Sequence, residues 1–153
     1  MMDKSFTFLK GRKYLKSSPI FMVLGDLDEL NATLGLTKAF ATKNLQEKIL
    51  YLQKDLREIG GFLAGVKKVD LKEKASCLTV KINQIADSSV KNFSYPGVNK
   101  TSAFLHLARA VCRRLERRVV GLKKKDFQEV VFYLNLLSSY LFWLTRKEEK
   151  AGY

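Results

Sequence analysis

Residues 106–122 read "HLARAVCRRLERRVVGL", and a helical reading of this stretch decides the fold. Arg109, Arg113 and Glu116 are separated by four and then three residues. On a helix that spacing puts two guanidiniums and one carboxylate on a single face. Val111 and Leu115 fall on a separate core stripe, while Arg114, Arg117 and Arg118 point elsewhere. The basic residues fit a nucleic-acid strip, a solvated helix face or part of an active site. A surface strip has no special need for an embedded Glu. A polyphosphate site uses arginines, and a neighbouring carboxylate fixes their forks in place.

Around this helix the chain has 153 residues, which predicts one domain over 1–153 with a real core. A hydrophobic fraction of 46% excludes a disordered tail. Only Pro19 and Pro96 interrupt it, which suits an all-helical chain. The formal net charge of +13 favours anionic partners such as nucleotides, nucleic acid or an acidic membrane surface, without choosing among them. Much of the excess is lysine in expected loops, as at Lys123, Lys124 and Lys125, so a lysine-rich solvated surface stays open as a reading. Cys77 and Cys112 sit in helical patterns and are expected as buried, reduced thiols of a cytoplasmic protein. One histidine and no CxxC pair exclude the usual zinc sites. The opening "MMDKSFTFLKGRK" has no apolar run of the kind a signal peptide carries.

Residues 1–23 read as loop, with an extended piece at Phe6–Leu9. A first helix is expected from near Asp26, where acidic residues suit the positive end of the helix dipole. Leu27, Leu30, Leu34 and Thr37 mark one stripe of it, and Asp28, Asn31 and Gly35 another. Leu45, Ile49, Leu52, Leu56, Ile59, Leu63 and Val66 recur at helical spacing and predict a second helix, in which Gly60 and Gly61 let a neighbour approach. A third segment, about Leu71 to Val90, contains "SCLTVKI", which reads as helix or strand. After a Pro-Gly loop, Thr101 or Ser102 is expected to cap the fourth helix, which runs to about Val120. The fifth, about Phe127 to Lys147, is apolar all round, with a charged tail expected to fray. Its apolar run falls short of the roughly 20 residues of a membrane span, so burial in a bundle or against another subunit is the better reading. Asn135 in its middle is expected to be buried and bonded to another helix or a ligand. The polar groups singled out would equally serve as plain inter-helix hydrogen bonds and ion pairs.

The order of the segments narrows these choices. Asp28-Glu29-Leu30-Asn31, Phe93 to Gly97, His106 to Arg117 and Asn135 to Phe142 follow the pattern DELN, F-x-x-P-G, H-x-A-R-x-x-x-R-R-x-E-R and N-R-L-S-D-x-x-F. With "LQKDLREIGGFLAG" between the first two, the chain resembles the PduO-type ATP:cob(I)alamin adenosyltransferases from about Gly11 to Arg146. The resemblance implies an all-α five-helix bundle assembling as a homotrimer with active sites between subunits. It implies ATP with Mg2+ and a corrinoid as ligands, with Co(I) attacking the ribose 5′ carbon and tripolyphosphate leaving. By position, Arg109 and Arg113 would organise the ATP phosphates. Asp28 would pair with Arg109 across the subunit boundary, and Glu116 would orient the arginines and the metal region. Asn135 would hold the nucleotide, and Phe93 would sit by the lower face of the corrin, keeping the dimethylbenzimidazole off cobalt. A corrinoid reductase or a corrinoid-dependent enzyme is the partner implied, with no membrane and no nucleic acid.

Departures from the pattern matter as much. The family's N-terminal ATP loop resembles T-x-x-G-D-x-G-x-T. Here Asp3 and Thr7 fit it and Lys16 matches a later lysine, but Met2 and Ser5 stand where glycines belong. In the fifth helix Leu136 and Ser139 replace an arginine and an aspartate. The leading expectation is a corrinoid adenosyltransferase with weakened ATP contacts. A catalytically silent relative that binds or delivers a corrinoid is the second. A basic helical nucleic-acid-binding protein is the third, and it leaves Glu116 and Asn135 without a purpose.

Overall fold

The computed structural model of the chain describes residues 5–90 and 94–151. At the start, β1 (Phe6–Leu9) pairs antiparallel with β2 (Arg12–Leu15), Phe6 opposite Leu15 and Leu9 opposite Arg12. Lys10 and Gly11 form the two-residue turn, at φ of 49° and 72°. Positive φ at both positions matches the twist that a tight hairpin needs, and glycine adopts it freely. The extended piece at Phe6–Leu9 is thus one strand of a pair, and its partner Arg12–Leu15 is a strand where loop is expected.

Helix α1 (Pro19–Phe40) begins a full two turns before Asp26. Pro19 sits in its first turn, where the missing N–H costs nothing and φ is already helical. Asp26 and Asp28 are therefore mid-helix, and no acidic residue faces the dipole's positive end. Val23, Leu27, Leu30 and Leu34 form the buried stripe. Helix α2 (Lys43–Leu63) stops short of Val66, and Gly65 follows with a φ of 71°. The close approach read from its glycines is real at Gly60: a Cβ there would meet Leu27 Cδ2 of α1 at 3.4 Å.

The ambiguous third segment is helix α3 (Leu71–Ile85), capped by Asp70 through the Glu73 N–H. Helix α4 (Lys100–Gly121) is capped by Asn99, not by Thr101 or Ser102. Ser102 instead closes a reciprocal capping box with Asn99. After a short 3-10 turn at Lys125–Phe127, α5 (Gln128–Ala151) continues past the expected end. Its last turns are held rather than frayed: Glu149 is buried, and Asn99 donates to the Glu148 carbonyl at 3.0 Å.

The helices pack α2 on α1, α1 on α4, α4 on α5 and α5 on α3, around one continuous apolar core. Polar groups lock it where α2, α3 and α5 meet. Buried Asp55 of α2 accepts from Tyr133 of α5 at 2.8 Å and from Lys74 of α3 at 2.6 Å. Among the described residues no helix is long and apolar enough to cross a membrane.

Candidate functional site

The face predicted from the spacing of α4 forms. Arg109 and Glu116 are half-buried on it and Arg113 is exposed. Neither arginine has an ion-pair or hydrogen-bond partner among the described residues, and the Arg109 Nε is buried without one. A buried guanidinium N–H with nothing to donate to is costly, so Arg109 is open to an acceptor that the described residues do not supply.

Asn135 lies opposite on α5 and corrects one expectation. It is exposed, not buried, and its Nδ2 donates to Glu116 Oε1 at 3.3 Å. The buried positions around it belong to Leu134, Leu137 and Ser138. This bond fixes the Glu116 carboxylate beside the two arginines. Behind them, Cys112 donates to the Leu134 carbonyl at 3.4 Å, and burial pushes its thiol pKa up. Cys112 is therefore a packing residue. Cys77, expected to be buried, is exposed.

Asp28 is exposed on α1, and among the described residues it pairs with nothing, Arg109 included. The carboxylate that α1 does bury is Asp26. Its Oδ1 takes Arg118 Nη1 at 3.0 Å and Arg114 Nε at 3.3 Å, while Glu29 takes the other end of Arg114. These residues escaped the sequence reading, although Arg114 and Arg118 share one face at a spacing of four, the signal that would have shown it. They clamp α1 to α4 and leave Arg109 and Arg113 unclaimed.

Thr7 lies in β1 opposite Tyr14, and Lys16 follows β2 with its N–H on the Ser5 carbonyl at 2.9 Å. The hairpin stands at the end of the bundle where α1 begins, through the edge contact of Tyr14 with Phe21. Asp3 and Phe93 lie outside the described residues. Leu136 packs against the core, and Ser139 donates to the Asn135 carbonyl at 3.2 Å, so neither is left for a phosphate.

No group of three or more His, Cys, Asp or Glu side chains gathers to hold a metal among the described residues. Glu116 offers one carboxylate. That fits a magnesium ion held mainly by phosphate oxygens and water, not one caged by protein.

Comparison with known proteins gives the family. Residues 2–148 match the family model for cobalamin adenosyltransferase. A corrinoid adenosyltransferase of Bacillus subtilis is 36% identical over 157 residues, covering 94% of this chain and 81% of its own length. A human corrinoid adenosyltransferase is 32% identical, covering 94% of this chain and 65% of its own. Among solved structures, a phenylalanine-to-alanine variant of the PduO-type ATP:corrinoid adenosyltransferase from Lactobacillus reuteri, complexed with cobalamin and ATP, has a TM-score of 0.85. It is 28% identical, and the match covers 96% of this chain and 90% of that one. With helices, order of motifs and relatives in agreement, the chain belongs to the cobalamin adenosyltransferase family.

Proposed function

We propose that this chain moves the 5′-deoxyadenosyl group of ATP onto the cobalt of a corrinoid. The observation that carries this reading is the α4 face itself: two guanidiniums without partners among the described residues, beside a carboxylate oriented by Asn135. In the reaction, Co(I) supplies both electrons of the new cobalt–carbon bond. The bond from the ribose 5′ carbon to oxygen breaks, and the tripolyphosphate leaves with that electron pair. No proton transfer is needed, so the site must supply fixed positive charge where negative charge grows. Arg109 and Arg113 supply it, and Glu116 keeps their geometry and takes part in the magnesium site. Asn135, Thr7, Lys16 and Asp3 hold the nucleotide, and Phe93 stands at the lower face of the corrin.

The site is shared between copies in a homotrimer. Unpaired Asp28 on one copy meets Arg109 of the next, which would satisfy both. A corrinoid reductase delivers the electron that makes Co(I).

A second reading, a corrinoid-binding relative without turnover, is favoured by Leu136 and Ser139, which are spent on packing and on a helix carbonyl. Calorimetric titration with ATP·Mg2+ and, separately, with cob(II)alamin separates the two. Binding of both, with adenosylcorrinoid formed once reductant is added, is the expected result. Binding of corrinoid alone selects the second reading.

A further inference from the structure

At the end of the bundle opposite the hairpin, the last turns of α3 and α5 line an open cavity of about 220 Å3. Its wall carries Trp143, Arg146, Lys147 and Lys150 of α5, with Gln84 and Asp87 facing them. Trp143 is the only tryptophan of the chain. It is half-buried, meets Phe142 edge-on, and makes no hydrogen bond among the described residues.

The charges of this wall are incompletely matched. Lys150 is paired with Asp87 at 2.7 Å and Arg146 Nη1 with Glu149 at 2.8 Å. Lys147 has no ion-pair partner among the described residues, and Arg146 Nε is buried without an acceptor. Burial and then Lys147 lower the pKa of Lys48 on α2, which puts a further cation near Lys147. An aromatic face beside unmatched cations suits an aromatic base linked to a phosphate. The volume is below that of a pocket for a whole drug-sized ligand, so it takes one base and its phosphate, not a macrocycle.

Two substrates of the proposed reaction carry such a group: ATP, and the nucleotide tail that links benzimidazole and phosphate to the corrin of cobalamin. Position favours the tail. Val90, after the end of α3, lines the cavity. Behind the cavity wall, Glu149 takes His106 at 2.9 Å and Arg146 at 2.8 Å, with Ser94 beside it. The hairpin bearing Thr7 and Lys16 is at the opposite end.

We infer that this cavity receives the phosphate-linked benzimidazole of the corrinoid's nucleotide tail once it has left cobalt, with Trp143 stacking on the base and Arg146 and Lys147 facing the phosphate. The inference rests on the corrinoid reading above. The test is calorimetric titration of the full chain with cob(II)alamin, with cob(II)inamide, which has the same corrin without the nucleotide, and with ATP·Mg2+. The parent, Trp143→Ala and Lys147→Glu are compared. The expected result is that the parent prefers cob(II)alamin by about tenfold or more, and that each substitution removes this preference without changing cob(II)inamide affinity. Lys147 is exposed, so its variant tests the site even where Trp143→Ala fails to fold. Equal loss for both corrinoids, no change for either, or a loss confined to ATP overturns the tail site while leaving the enzyme reading standing. If the parent binds neither corrinoid, the enzyme reading falls, and this inference with it.

Discussion

At the scale of single residues, the site depends on which charges are already committed. Arg114 and Arg118 are committed to Asp26, so removing either would loosen α1 on α4. Arg113 is committed to nothing among the described residues, so Arg113→Ala should leave the circular dichroism spectrum and melting temperature unchanged. Loss of a charge-assisted contact to a departing polyphosphate raises the barrier by on the order of 3 kcal/mol, a rate loss of a hundredfold or more. A variant that turns over like the parent in an adenosylcorrinoid absorbance assay would remove Arg113 from the site. The converse change is Leu136→Arg with Ser139→Asp, which restores the family's arginine and aspartate. It should tighten ATP·Mg2+ at least about tenfold by regaining charge-assisted hydrogen bonds, each worth roughly 1.5–3 kcal/mol. Unchanged affinity in a nucleotide titration would mean that these positions do not face the nucleotide.

At the scale of elements, the join of α2, α3 and α5 is fastened by Lys74, Asp55 and Tyr133. Asp55→Asn would leave Lys74 with a weaker acceptor in a site where its side chain is only 19% exposed. The expected cost is on the order of 3 kcal/mol in urea unfolding. The same join predicts a pH dependence. Burial opposes the Lys74 charge, but its bonds to Asp55 and Glu58 outweigh that and raise its pKa to about 12. A raised folded pKa contributes stability that is complete below the unfolded value near 10.4 and is lost as pH rises toward 12. Tyr51, raised to about 12 chiefly by burial, acts in the same direction. Unfolding free energy should therefore fall between about pH 10 and 12, and less steeply in Lys74→Met; identical slopes would remove Lys74 as a cause. The start of α4 offers a separate measurement. Asn99→Ala removes the capping box and the bond to Glu148, and should lower stability by about 1–2 kcal/mol.

At the scale of the whole molecule, α5 does not need a second subunit for all its apolar sides, because α3 and α4 flank it and only Phe132 of its large apolar residues is exposed. Other uncovered apolar side chains include Met22, Leu36 and Phe40 on α1, Leu107 and Val120 on α4, Leu50 on α2 and Val80 on α3. Burial between copies would place Asp28 and Arg109 at the same boundary. Sedimentation equilibrium at micromolar concentration should give three times the chain mass, and Asp28→Ala should lower both assembly and turnover. A monomer by that measurement would remove the shared site.

Whatever local chemistry controls is legible in the chain order. The periods of Leu27 to Leu34 and Leu45 to Leu63 marked two helices and their buried stripes, because burial repeats with the helical turn. The spacing of Arg109, Arg113 and Glu116 put them on one face, because the helix has one geometry. Long-range partners were not legible. Asn135 looked buried because its neighbours are apolar, but their burial is decided by where α3 and α4 pack, and that packing turns Asn135 outward to Glu116. Asp26 and Asp28 looked alike in one acidic run. Only the crossing of α4 over α1 buries the first and leaves the second free. Pro19 carried a start signal that lost to the acidic residues after it, although proline is tolerated where a helix begins. The cavity at Trp143 had no signal in the chain order, because its wall joins residues 84 to 90 with 143 to 150. Only the docking of α3 on α5 brings them together.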